Sequence, residues 1–139
     1  MRVLFDTNVL LAAFLSEGLC SKLLRRAAHR HFELFLSPSI IAEFKDKLRK
    51  KFKVDSNGIK TVTALVLEAS SSAELLYPVE IVAGVSRDPD DDHVLASALT
   101  QRVQFIVTGD KDLLDLKRFR NIEIISPRDF ELIFADSGL

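Results

Sequence analysis

The chain has a single cysteine in 139 residues, Cys20, so no intrachain disulfide can form and nothing calls for an oxidising compartment. Cys20 reads as a small apolar residue of the interior. Glycine is sparse, five residues scattered along the chain, so no glycine-rich loop is available to cradle a phosphate. A membrane-spanning run is also missing: Val9–Leu15 is apolar but too short to cross a bilayer, and it reads as a core helix. With Arg2 as the one early charge, the N-terminus has no signal-peptide pattern. A cytoplasmic protein that does not engage a membrane is expected. The three histidines, His29, His31 and His93, lack cysteine or histidine neighbours at metal-ligand spacing and read as surface or capping residues. Ser37, Ser39 and Ser126 stand at helix starts, which leaves no candidate Ser-His-Asp triad.

What is present is an ordinary globular composition, 47% hydrophobic and 28% charged. The length fits one domain, residues 1–139, able to bury roughly two-thirds of its unfolded surface. The net charge of −1 conceals an asymmetry. Ten of the 19 lysines and arginines lie between Lys22 and Lys53, among only three acids, Glu33, Glu43 and Asp46. Seven aspartates lie between Asp88 and Asp115. A basic half and an acidic half suit a polyanion whose reacting phosphate must meet cations; ordinary solvated helix faces would give the same counts.

Along the chain, short apolar runs alternate with helical patterns. Strands are predicted at Arg2–Phe5, Phe32–Leu36, Glu74–Val79, Gln104–Val107 and Asn121–Ile125. Helices are predicted over Val9–Phe14, Leu19–Arg30, Pro38–Lys51, Ile59–Ser71, Pro89–Thr100 and Pro127–Phe134, three of them opened by proline in the first turn. Alternation of this kind implies an α/β fold, a three-layer α/β/α sandwich around a central parallel sheet of four to five strands.

In such a sheet, sites form beyond the carboxyl ends of the strands. Asp6 directly follows the first strand, and Asp110 follows the Gln104–Val107 strand closely. Glu43 lies early in the helix leaving the second strand. The run Asp88-Pro-Asp-Asp-Asp92 opens another helix. At 100° per residue, Asp91 aligns with the apolar stripe of Val94, Leu95, Ala98 and Leu99, so Asp91 is the first choice of that run and Asp92 the second, with Asp88 as N-cap. Each acid has a local explanation too: Asp6 as a cap, Glu43 paired with Lys47 at i,i+4, Asp110 in a turn with Gly109. Convergence of four acids from four elements is what suggests a site. Clustered carboxylates repel one another, and divalent cations relieve that repulsion. All-oxygen ligands select Mg²⁺ or Mn²⁺, ions able to promote phosphodiester hydrolysis.

The segments Val-Leu-Phe-Asp6-Thr7-Asn8-Val-Leu, Ser-Pro-Ser-Ile-Ile-Ala-Glu43-Phe, Asp88-Pro-Asp-Asp91-Asp-His-Val-Leu-Ala-Ser-Ala98 and Val-Thr108-Gly-Asp110-Lys-Asp-Leu resemble, in order, the four acidic motifs of the PIN domain family. The resemblance spans almost the whole chain, and the subgroup it most resembles contains toxin components of type II toxin–antitoxin systems. It implies a Mg²⁺- or Mn²⁺-dependent endoribonuclease acting on RNA, with Asp6, Glu43, Asp91 and Asp110 as both catalytic and metal-holding carboxylates. Asn8 and Thr108 are implied as supporting polar residues. The third position stays open between Asp91 and Asp92, and Asp112 either assists or replaces Asp110. A small antitoxin partner and homodimerisation are further implications. Lys22, Arg25, Arg26 and Arg30, with Lys45 to Lys53, are expected to hold the phosphate backbone. Two rival readings are a phosphatase using Asp6 as nucleophile and a catalytically inert RNA- or protein-binding module.

Overall fold

The computed structural model describes residues 1–71 and 82–134. The strand expected at Glu74–Val79 falls outside the described residues. In chain order the elements are β1 (Arg2–Phe5), α1 (Thr7–Leu15), α2 (Leu19–Ala28), β2 (Glu33–Phe35), α3 (Pro38–Lys50), α4 (Ser56–Ala69), a 3-10 turn (Pro89–Asp91), α5 (Asp92–Gln101), β3 (Phe105–Val107), α6 (Lys111–Leu114), β4 (Arg118–Phe119), β5 (Ile122–Ile125) and α7 (Pro127–Leu132).

The described strands form one five-stranded sheet in the order β2-β1-β3-β5-β4. All neighbours are parallel except β4, which runs antiparallel to β5. Val3, Leu4 and Phe5 are consecutive and wholly buried, as are Ile106 and Val107. Successive strand residues point to opposite faces, so central strands with consecutive buried residues must be covered on both sides. This is the three-layer α/β architecture the alternating pattern implies. Two short elements, α6 and β4, have too few residues to show a period and went unpredicted. Among the described residues no single helix is long and apolar enough to cross a membrane. The Val9–Leu15 run lies in α1, where Val9, Leu10 and Leu11 pack into the core.

Local chemistry fixes where the helices begin. Asp6, Ser37, Asp55 and Ser126 each accept a hydrogen bond from a backbone N–H of the helix that follows. Pro38 and Pro127 occupy first turns, where a missing N–H costs nothing.

Two arginines expected to meet RNA instead hold the fold together. Arg26 is 5% exposed and forks onto the Glu131 carboxylate of α7, with Nε to Oε2 at 3.0 Å. Its guanidinium also lies 4.8 Å from the centre of the Phe134 ring. Arg30 donates to the carbonyls of Glu68, Ala69 and Ser70 at 3.1, 2.8 and 3.0 Å, which satisfies the C-terminal end of α4. Lys22 adds a weaker pairing to Glu131 at 3.3 Å. Removing one partner of a buried ion pair strands the other charge. Glu131→Ala should therefore lower the unfolding free energy by about 3 kcal/mol in a urea titration. Lys22→Ala, which removes an exposed cation, should cost less than about 1 kcal/mol.

Candidate active site

Parallel pairing of β1 with β3 sets Phe5 beside Val107. The next residues, Asp6 and Thr108, therefore leave the sheet side by side at its carboxyl edge. Asp6 is 7% exposed and both its oxygens are engaged. Oδ1 accepts from the Thr7 N–H at 2.8 Å, and Oδ2 accepts from the Thr108 hydroxyl at 2.8 Å. The Thr108 Oγ1 in turn accepts the Asp110 N–H at 3.0 Å. Asp110 caps α6 by accepting the Asp112 N–H at 2.9 Å. One buried hydroxyl thus couples the acid after β1 to the acid after β3.

The third acid comes from the 3-10 turn. Of the aspartate run, Asp91 and Asp92 are both buried but face different ways. Asp91 lines the pocket and accepts from the Ser86 hydroxyl at 3.1 Å. Asp92 turns to the preceding loop, where it accepts the N–H groups of Gly84 at 3.1 Å and Ser86 at 3.3 Å. Gly84 has φ +69, a left-handed backbone that suits glycine, and that conformation presents its N–H to Asp92. Asp88 does cap the 3-10 turn, accepting the Asp90 N–H at 3.0 Å, and it also lines the pocket.

Glu43 arrives from the second turn of α3. It forms the i,i+4 pair with Lys47 at 3.0 Å, yet it still faces the pocket. Local pairing and site geometry coexist. Lys47 Nζ also reaches Asn8 Oδ1 at 3.4 Å.

The pocket has a volume of about 280 Å³, and its walls include Asp6, Glu43, Asp91 and Asp110 together. Asn8, Lys47, Asp88, Asp90, His93 and Val94 complete it. His93 corrects the reading of the histidines as surface or capping residues. Its Nδ1 meets the Ser39 hydroxyl at 3.1 Å and its Nε2 stands 3.6 Å from Glu43, which makes it a wall of the site. The available signal was its place two residues after Asp91. Among the described residues, the carboxylates able to bring three oxygens within 4.8 Å of one another are Asp88, Asp91 and Asp112. Only Asp91 is common to that trio and to the four acids picked from the sequence. Asp112 is itself held by Arg87 at 2.8 Å, and Arg87 also bonds Asp115.

The electrostatics follow from this crowding. Burial raises the Asp6 pKa first of all; its bonds to Thr108 and Thr7 oppose this, while the charges of Glu43 and Asp110 push it up again. Asp91 is pushed up to about 7, chiefly by burial, then by the hydrogen bond and negative charge of Asp110. The Ser86 hydroxyl lowers it and the Asp88 charge raises it. Asp91 therefore holds its proton up to near neutral pH, facing the Asp110 carboxylate. A donor set of carboxylate oxygens that must hold a proton to coexist fits a hard divalent cation better than a soft one.

Comparison with known sequences agrees with this arrangement. The profile of the PIN domain matches residues 2–112. An uncharacterized protein of Methanocaldococcus jannaschii is 30% identical over 145 aligned positions, spanning 96% of this chain and 90% of that protein. The mostly parallel sheet with an acidic pocket at its carboxyl edge is a nuclease-like α/β fold. The chain belongs to the PIN domain family.

The raised Asp91 pKa has a measurable consequence. Its unfolded value is near 3.8 and its folded value about 7. Between those pH values the folded state holds a proton that the unfolded state has released. Stability from this group is complete below about pH 4 and is lost as pH rises towards 7. Asp6, also raised, acts in the same direction. In EDTA, wild type should lose stability on going from pH 5.5 to pH 7.5, by at most about 1.4 kcal/mol per pH unit for each proton. Asp91→Asn should flatten that slope in urea titrations; an unchanged slope would contradict the assignment.

Proposed function

We propose that this chain is a Mg²⁺- or Mn²⁺-dependent endoribonuclease that hydrolyses phosphodiester bonds of single-stranded RNA, and that it is the toxin of a toxin–antitoxin pair. The observation that carries the first part is the convergence of Asp6, Glu43, Asp91 and Asp110 on one pocket, with the Asp91 pKa raised to about 7 by burial and by the neighbouring Asp110. Asp6, Asp91 and Asp110 would hold the cation and Glu43 would complete the set. When bound, the cation supplies Lewis-acid polarisation of the phosphoryl group and makes water a stronger nucleophile at neutral pH.

The chain's own groups do the positioning. The Thr108 hydroxyl and the Thr7 N–H hold Asp6 in one orientation. The Ser86 hydroxyl does the same for Asp91. Lys47, between Glu43 and Asn8, gives the pocket a lysine suited to a non-bridging phosphate oxygen. Asp6 is poorly suited to attack phosphorus itself, since both its oxygens are engaged; this disfavours the phosphatase reading.

The purified protein should cleave single-stranded RNA with Mg²⁺ or Mn²⁺ and not in EDTA. Asp6→Asn and Asp91→Asn should each reduce the rate by at least roughly 100-fold. Thr108→Val, which leaves every carboxylate in place, should cost roughly 10–100-fold in metal affinity or rate. Equal cleavage by wild type and Asp6→Asn would end the proposal. The toxin reading and the small protein partner rest on motif resemblance. They predict growth arrest on expression, relieved by Asp6→Asn and by co-expression of a small reading frame adjacent to this one.

A further inference from the structure

A second concavity, of about 390 Å³, lies between α3 and α4. Its floor is apolar, built from Ile59, Thr63 and Leu67, and its rim carries Lys45, Arg49 and Lys60. Three features set it apart. First, among the described residues none of the three rim cations pairs with a carboxylate, whereas their helix neighbours Lys47 and Lys50 pair with Glu43 and Asp46. Second, Leu67 is 41% exposed over this floor, an apolar surface without a cover among the described residues. Third, the Thr63 hydroxyl is buried and unpartnered. Threonine in a helix divides between two χ1 wells, and a change of well exchanges methyl and hydroxyl positions.

The charge of the groove, set beside the pocket, identifies its occupant. Glu43 and Lys47 lie on the pocket face of α3. Lys45 and Arg49 are offset from them by two residues, about 200°, and so lie on the opposite face. The two sites lie on opposite faces of one helix roughly 10–12 Å across, so a strand that reaches both passes around it, over about 16–19 Å. That is the rise of about five stacked nucleotides at ~3.4 Å each. We infer that the α3–α4 groove is a second binding site for the single-stranded RNA substrate, gripping the strand a few nucleotides from the bond to be cut. Phosphates meet Lys45, Arg49 and Lys60, and a base rests on Ile59 and Leu67. The inference rests on the RNA-cleaving reading above and narrows the broad basic segment of the sequence to two of its cations plus Lys60 of α4.

The test is fluorescence anisotropy in EDTA, with a labelled mixed-sequence RNA of about twelve nucleotides and, beside it, a dinucleotide. Three proteins are compared: wild type, the triple variant Lys45→Ala/Arg49→Ala/Lys60→Ala, and a control triple Lys50→Ala/Lys51→Ala/Lys53→Ala. Both triples lose three positive charges, and thermal melts establish that both are folded. For the groove triple, the slope of log K against log salt should fall by about 2, at ~0.7 per phosphate contact, with at least a ten-fold loss of affinity for the longer RNA. The control triple should lose less than half as much. The dinucleotide, which can occupy the groove but not reach beyond it, should bind wild type more weakly than the longer RNA does and should lose affinity in the groove triple alone. Leu67→Ala should weaken binding of the longer RNA severalfold without changing the salt slope, which a purely electrostatic patch would not do. Equal losses in the two triples overturn the inference. So does a polyglutamate peptide that binds as tightly as RNA and is released by the same groove substitutions, since that marks a protein-docking surface. Groove-dependent RNA binding by a protein that cleaves nothing upholds this inference and removes the hydrolysis proposed above. Cleavage with groove-independent binding overturns this inference alone.

Discussion

The in-register parallel pairing of β1 and β3 is the constraint on which the acidic edge depends. Because Phe5 stands beside Val107, the residues that follow cannot avoid each other. A one-residue slip would send Thr108 to the opposite face and leave Asp6 buried without its side-chain donor. The core anchors both strands, since Val3, Leu4, Phe5, Ile106 and Val107 are wholly buried. The Thr108 hydroxyl connects the two acids that the register brings together.

Around that pair, the protein holds its carboxylates close. Asp91 lies near enough to Asp110 for a hydrogen bond and like charge to raise its pKa. Cations meet the acids at the margins of the site: Lys47 pairs with Glu43, and Arg87 with Asp112 and Asp115. Asp6 and Asp91 keep raised pKa values, and a cation entering the pocket would relieve the repulsion among the acids.

Much of this was legible in the sequence, for reasons that differ by residue. Asp6 and Asp110 could be placed because each follows a run of apolar residues that must be a buried strand. Asp91 could be separated from Asp92 because helical periodicity aligns it with Val94, Leu95, Ala98 and Leu99, and the structure turns Asp92 to Gly84 and Ser86 instead. What stayed hidden depends on contacts between distant segments. Nothing local distinguishes Arg26, which is buried against Glu131, from its exposed neighbour Arg25. His93 acquires its place through Ser39 and Glu43, residues about fifty positions earlier. The proximity of Asp88 to Asp112 likewise needs the loop and α6 to meet, and α6 is too short to leave a periodic signal.

The sheet's outer margins carry a consequence for self-association. One margin is β4, two residues long, antiparallel to its neighbour, with Arg118 in it and Lys117 and Arg120 on either side. At the other margin, β2 is three residues long, and the Ser71 N–H already occupies the Leu34 carbonyl at 2.8 Å. Among the described residues, neither offers the long, flat, unpaired backbone on which a second chain could add a strand. Continuous sheet growth is therefore disfavoured at both described margins.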